Sequence, residues 1–222
     1  FAVPLDRQGG YSLRWFTPEK EVPLCGHATL ATAAILYEYF KEKGKELRFQ
    51  TLSGALKTRY REGAIEMDFP FYHPQPISLP EETLRSLALP AIRDSRYAAE
   101  LRYWLFALES EEEVRRYKPD FSHWKSLVFP CEVSGIILTA ESGGEHDFVS
   151  RFFAPWLGVD EDPVTGSSHT VLGPYWQEKT GKRRLRAYQC SKRGGEMLLT
   201  VQEERVRIEG RYALVLEGVL KA

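Results

Sequence analysis

The chain carries one short frame twice. Near its start stand Arg14-Trp15-Phe16-Thr17-Pro18 and then Glu21-Val22-Pro23-Leu24-Cys25-Gly26-His27, opening an apolar stretch of helical spacing that stops at Gly44. Later come Arg151-Phe152-Phe153-Ala154-Pro155 and Glu161-Asp162-Pro163-Val164-Thr165-Gly166-Ser167, ahead of a second helical stretch that stops at Gly181. The shared pattern is Arg-aromatic-Phe-x-Pro followed by Glu-x-Pro-x-x-Gly, and an echo continues through Phe49-Gln50 to Gly54 and Tyr188-Gln189 to Gly194. Solenoid units run to only about 20–45 residues, so a repeat this long describes two halves of a duplicated architecture.

A chain of 222 residues can bury a core for two small domains or one large one. The repeat favours two halves, at 1–78 and 91–222, with the connection in the proline-rich segment from Pro70 to Pro90. Lys and Arg number 30 against 31 Asp and Glu, a net charge of -1 that removes any general electrostatic case for nucleic acid or an anionic membrane. No apolar run is long enough to span a bilayer. Three scattered cysteines, Cys25, Cys131 and Cys190, favour reduced thiols in a cytoplasm over a disulfide frame. Phe1 is not a translation start, and Phe1 to Leu5 reads as the end of a strand, so the first part of the first half is expected upstream.

Periodicity predicts a strand over Tyr11 to Phe16 and a helix from Ala28 to Lys43, with Leu30, Ala33, Ala34, Tyr37 and Phe40 on its apolar face. Strands are expected at Leu47–Gln50, Gly54–Arg61 and Ile65–Phe69. The second half reads as a strand at Leu101–Leu108, a charged helix at Glu109–Arg116, and strands at Gly135–Thr139 and Asp147–Phe153. The helix after Gly166 contains Pro174, which predicts a kink or break. Strands at Arg186–Cys190, Glu196–Gln202, Arg205–Glu209 and Ala213–Gly218 complete an α+β reading: two curved, mostly antiparallel sheets, each wrapped on one helix.

In each copy a Pro-x-x-Gly turn delivers a helix N-terminus, whose unpaired N–H groups and dipole attract anions. If the halves face each other, two termini share one cleft suited to a small carboxylate-bearing molecule. The copies differ where chemistry would sit. His27 is matched by Ser167 and Asp162 by Val22, which offers an imidazole and a carboxyl as a proton-transfer pair. Cys25 is matched by Thr165, so the paired thiols of some racemases are absent, and Cys25 with His27 is too few ligands for zinc. His73, His123 and His146 read as surface residues; His169, early in the second helix, could serve packing or a ligand.

Trp15-Phe-Thr-Pro, Glu21 to Ala31, Glu161 to Ser167 and Gln189 to Glu196 together resemble the PhzF-like (phenazine biosynthesis-like) family, with the pattern of its animal-type MAWD-binding branch. The resemblance covers essentially the whole chain. It implies the diaminopimelate-epimerase-like fold, two pseudo-symmetric domains with a cofactor-free active site between them, no metal, and a homodimer. It also implies that Gly26 and His27 form one side of that site and Asp162, Gly166 and Ser167 the other. The family's principal acid/base is a glutamate in a Ser-Glu-Thr-Ala-Phe stretch, whose end Phe1 and Ala2 resemble, so that glutamate is expected just before Phe1. The leading reading is a cofactor-independent isomerase or epimerase, with His27 and Asp162 catalytic and Gly26, Gly166 and Ser167 binding substrate. The alternative is a non-catalytic member of the same fold that retains the anion-binding cleft or uses its surface to hold a protein partner.

Overall fold

Short apolar–polar alternations build the first half as strands around one helix. The computed structural model describes residues 1–5, 10–16, 21–42, 44 and 46–219. Its first strands are β1 (Ala2–Pro4), β2 (Gly10–Leu13), β3 (Trp15–Phe16) and β4 (Glu21–Val22), followed by helix α1 (Gly26–Glu38). Strands β5 (Glu46–Thr51), β6 (Gly54–Arg61) and β7 (Ala64–Pro70) turn the inner side chains Leu47, Phe49, Leu56, Ile65, Met67 and Phe69 onto the core. The single strand expected over Tyr11 to Phe16 is divided at Arg14: β2 joins the main sheet, and β3 pairs with β4 in a separate two-stranded ribbon. Helix α1 starts earlier and ends earlier than its periodicity predicts. Lys41 takes a left-handed φ of 54°, and Phe40 is exposed rather than on the apolar face. Lys43, Lys45, Thr17 and Pro18 lie outside the described residues.

The segment from Pro70 to Pro90 holds a two-residue strand, β8 (Gln75–Pro76), and a helix, α2 (Glu81–Leu87). Next come β9 (Ile92–Ala98), β10 (Tyr103–Leu108), α3 (Glu111–Arg116), α4 (Phe121–Ser126), β11 (Gly135–Glu141) and β12 (Phe148–Ala154). A 3₁₀ turn at Pro155–Leu157 leads to β13 (Val159–Glu161) and the long helix α5 (Gly166–Thr180). The chain then adds β14 (Arg184–Gln189), β15 (Gly195–Val201) and β16 (Arg205–Gly210). The stretch Ala213–Gly218 forms no strand; Leu214, Val215 and Leu216 are exposed.

The connectivity repeats as the sequence does. In the first copy β2 pairs parallel with β5, and β5, β6 and β7 follow antiparallel. In the second copy β12 pairs parallel with β14, and β14, β15 and β16 follow antiparallel. The helix fills the parallel crossover each time, α1 between β2 and β5 and α5 between β12 and β14. The two copies join where β7 and β16 pair antiparallel, with Met67 opposite Ile208, so fourteen of the described strands form one continuous sheet.

Helix α5 is buried on every side from Gly166 to Trp176. It continues through Pro174 without a break. The carbonyl of Thr170, which a proline four residues on cannot serve, instead accepts the N–H of Tyr72 at 3.0 Å. Strands β10 and β11 are buried on both faces. Tyr103, Leu105 and Ile137 face the core that holds the two long helices, while Trp104, Phe106 and Leu138 face a second core with Trp124 and Phe153 under α3 and α4.

The repeated frame residues act as matching clamps. Arg14 binds Glu21 through two hydrogen bonds of 2.8 Å, and Arg151 binds Glu161 through two of 2.7 and 3.0 Å. Each guanidinium also lies over the frame phenylalanine, 5.0 Å from Phe16 and 4.7 Å from Phe153. In both ribbons that phenylalanine pairs with the frame glutamate, Phe16 with Glu21 and Phe153 with Glu161. The second clamp is the buried one: the Arg151 side chain is 11% exposed against 58% for Arg14, and it also reaches the carbonyls of Val114 and Tyr117. Replacing Arg151 with Ala would strand Glu161 and two carbonyls and is expected to cost about 3 kcal/mol. Arg14→Ala should leave stability nearly unchanged. Chemical denaturation of both variants measures the difference.

Candidate functional site

The two helix-delivering turns meet backbone to backbone. A Cβ placed on Gly26 would lie 2.7 Å from the Cα of Gly166, and one placed on Gly166 would lie 2.8 Å from the Cα of Gly26. Only glycine permits this approach, which sets the starts of α1 and α5 side by side. Each turn is held by a matching hydrogen bond, Ser53 Oγ to the carbonyl of Pro23 at 2.8 Å and Ser191 Oγ to that of Pro163 at 2.7 Å. Inside each helix the fourth residue bonds back to the N-cap carbonyl. Thr29 Oγ1 reaches Cys25 and His169 Nδ1 reaches Thr165, both at 2.7 Å. His169 is therefore a core residue. It is fully buried, stacked near Phe148, and pushed down to about 4 by burial, so its ring is neutral.

A cleft of about 380 Å³ opens at this junction, within the range of small-molecule sites. Its lining includes Cys25, Gly26, His27, Tyr103, Asp162 and Ser167. All five residues singled out from sequence, Gly26, His27, Asp162, Gly166 and Ser167, line it together. A wider groove on the other side of the junction, about 1520 Å³, mixes Arg61, Arg184 and Arg193 with Glu62, Glu196 and Glu209 and so favours neither sign of charge.

His27 and Asp162 face each other from opposite copies, with His27 Nδ1 4.0 Å from Asp162 Oδ2. The imidazole is raised to about 9. The first cause is its contact with the Cys25 sulfur, 3.6 Å from Nε2. Burial opposes this, and the charge of Asp162 and the carbonyl of Val164 add to it. The Asp162 carboxyl is raised by burial, against the opposing effects of a hydrogen bond from Thr165 and the nearby imidazole. Its side chain is 16% exposed, so an acid that ionises reluctantly sits beside an imidazole that holds its proton.

Two residues without an assigned role in the sequence reading complete the site. Tyr103, on β10, places its hydroxyl 3.1 Å from Ser167 Oγ, and burial pushes it up to about 12, so it stays a neutral hydroxyl. Gln189, at the end of β14, is fully buried against the turn that carries Asp162. Gln189 stood out as an echo of Gln50, which is exposed, and as the first residue of the motif running to Glu196, without a role attached; nothing in the sequence signals Tyr103, which the sheet brings in from a separate strand.

Known proteins share the family and the fold. The model of the family described as phenazine biosynthesis-like protein matches residues 1–218. The chain belongs to that family. It is 44% identical to the mouse phenazine biosynthesis-like domain-containing protein 2, over 96% of this chain and 78% of the relative. An uncharacterized isomerase of Pseudomonas aeruginosa is likewise 44% identical, over 97% of this chain and 80% of that protein. A crystal structure from Clostridium difficile, described as a putative phenazine biosynthesis PhzC/PhzF protein, superposes with a TM-score of 0.86 at 39% identity, covering 100% of this chain and 82% of that one. A hydroxyproline epimerase from Agrobacterium vitis shares the fold at 11% identity, with a TM-score of 0.61 over 95% of this chain and 70% of its own. The fold is thus the diaminopimelate-epimerase-like α+β fold. Among the described residues no helix is long and apolar enough to cross a membrane.

Two outcomes are expected of this site. In Cys25→Ala, the His27 titration midpoint followed by NMR should fall from about 9 toward the ordinary 6.5. Because the folded value lies above the unfolded one, the proton-linked stability is present below about pH 6.5 and lost as the pH rises through about 9, and the variant should lose that dependence. Gly166→Ala should lower stability by about 2–3 kcal/mol, since its methyl has only the Gly26 backbone to displace. Thermal unfolding measures it.

Proposed function

We propose that the cleft binds a small carboxylate-bearing molecule and transfers a proton on it, as a cofactor-independent isomerase or epimerase. The observation that carries this is the placement of His27 and Asp162 across the Gly26–Gly166 junction, where the first turns of two helices begin. The first N–H groups of a helix have no partner within it, so the amides of α1 and α5 form two converging donor sets beside the acid and base. A carboxylate seated there leaves its neighbouring carbon next to both ionisable side chains.

The reaction balances without any outside electron carrier. A C–H bond next to the carboxylate or a conjugated system breaks, and its proton passes to a basic group while the electron pair spreads into the carboxylate or conjugated system. The helix amides near Gly26 and Ser167 hold that charge. A proton returned from the acidic partner then forms the new C–H bond. His27, raised to about 9, is the proton-holding partner at neutral pH, and Asp162 is the counterpart. The glutamate that the family resemblance places before Phe1 is the main proton carrier in this reading. The halves at 1–78 and 91–222 supply the two walls, and the working protein is a cytoplasmic homodimer.

Asp162→Asn and His27→Gln are each expected to slow solvent-deuterium incorporation into a turned-over carboxylate substrate by about a hundredfold or more. Mass spectrometry of substrate and product in D₂O reads the exchange. Unchanged exchange in Asp162→Asn would overturn its role. Ligand binding that persists with no exchange in the unaltered protein would make this a binding protein.

A further inference from the structure

The N-cap residues of the two long helices do not cap them. Cys25 and Thr165 hold extended backbone, yet neither side chain caps a backbone N–H of its own helix. A threonine at that position would ordinarily satisfy a first-turn N–H. Thr165 forgoes this and turns its hydroxyl to Asp162, with Oγ1 2.5 Å from Oδ2.

The direction of that bond is fixed by Gln189. Its Oε1 accepts the backbone N–H of Thr165 at 2.7 Å, which assigns the amide orientation, because the flipped amide would set donor against donor. Its Nε2 then donates to the carbonyl of Asp162 at 2.6 Å and to Thr165 Oγ1 at 3.1 Å. A hydroxyl has one hydrogen. With its oxygen already accepting from Gln189, Thr165 can place that hydrogen on the Asp162 carboxyl. Gln189 is fully buried and every polar position of its amide is used, whereas Gln50, at the matching end of β5, is exposed. Among the described residues the relay stands only in the copy that carries the carboxyl.

We propose that Gln189 and Thr165 are positioning residues for Asp162: Gln189 orients the Thr165 hydroxyl, and that hydroxyl holds Asp162 Oδ2 toward His27 across the cleft. The role rests on the proton-transfer reading of the site and adds residues to it. The titratable groups that share the cleft lining with Asp162 are Glu21, Cys25 and His27 from the first copy and Glu100, Arg102 and Tyr103 from the second, with His27 nearest at 4.0 Å. Thr165 is the one that favours the ionised carboxyl without carrying a charge, opposing the upward push of burial.

The test compares Thr165→Val, Thr165→Ser and Gln189→Leu in the whole protein, each first checked for folding by thermal unfolding. The Asp162 side-chain carboxyl is followed by ¹³C NMR, and substrate deuterium exchange is recorded against pH. Thr165→Val should move the carboxyl midpoint upward, Thr165→Ser should restore the parental midpoint, and Gln189→Leu should shift it in the same direction as Thr165→Val. The exchange profile should gain its Asp162-dependent limb at correspondingly higher pH. A midpoint shift without any change in the exchange profile supports the relay but removes Asp162 from the reaction. An unmoved Asp162 midpoint in folded Thr165→Val overturns the relay, whatever happens to activity. If Gln189→Leu does not fold, the Val and Ser pair at position 165 still decides it.

Discussion

The close approach of Gly26 and Gly166 is the constraint on which the rest of the site depends. A methyl group on either residue would fall within 2.8 Å of the other's backbone, so the two turns can touch only if both lack a side chain. With them touching, α1 and α5 begin side by side, and the first residues of both helices line one cleft together with Asp162. Without this contact His27 and Asp162 would belong to separate surfaces.

Around that point the repeated and the unrepeated residues divide the labour. The matched positions build backbone: Arg14 and Arg151 grip Glu21 and Glu161 over Phe16 and Phe153, and Ser53 and Ser191 fasten Pro23 and Pro163. The mismatched positions line the cleft: Val22 against Asp162, Cys25 against Thr165, His27 against Ser167. Duplicated scaffolding makes a symmetric cradle, and the substitutions within it place a proton-holding imidazole opposite a reluctant acid. The N-cap pair shows the same logic, because neither side chain caps a backbone N–H and each meets an ionisable side chain instead, Cys25 that of His27 and Thr165 that of Asp162.

Much of the fold was legible because burial on one face leaves a period in the chain. Strand β6 has the bounds expected of it, and β5, β7, β11, β12 and β14 to β16 fall within a few residues of theirs. The misses have physical causes. Strand β9 carries Arg93, Asp94 and Arg96 and is a strand because β10 pairs with it, not because it alternates. Helix α4 is one short turn and a half held by Asp120, too brief to show a period. Ala213–Gly218 has strand composition but no partner strand among the described residues, and composition alone cannot supply one. Pro174 reads as a breaker, yet a distant N–H from Tyr72 satisfies the carbonyl it leaves open.

By itself the sequence determined the duplication, the two glycine turns, the asymmetric pair His27 and Asp162, and the family to which the chain belongs. These are local patterns of residue type and spacing, and a repeat is visible without knowing where its copies sit. Only the tertiary structure decided that Tyr103 stands beside Ser167, that the Cys25 sulfur meets the His27 ring, and that Gln189 is buried and bonded to Thr165 while Gln50 is exposed. Each of those facts is a direction in space. The side chain of a glutamine points inward or outward according to the pairing of its strand and the turn packed against it, and no spacing along the chain records which.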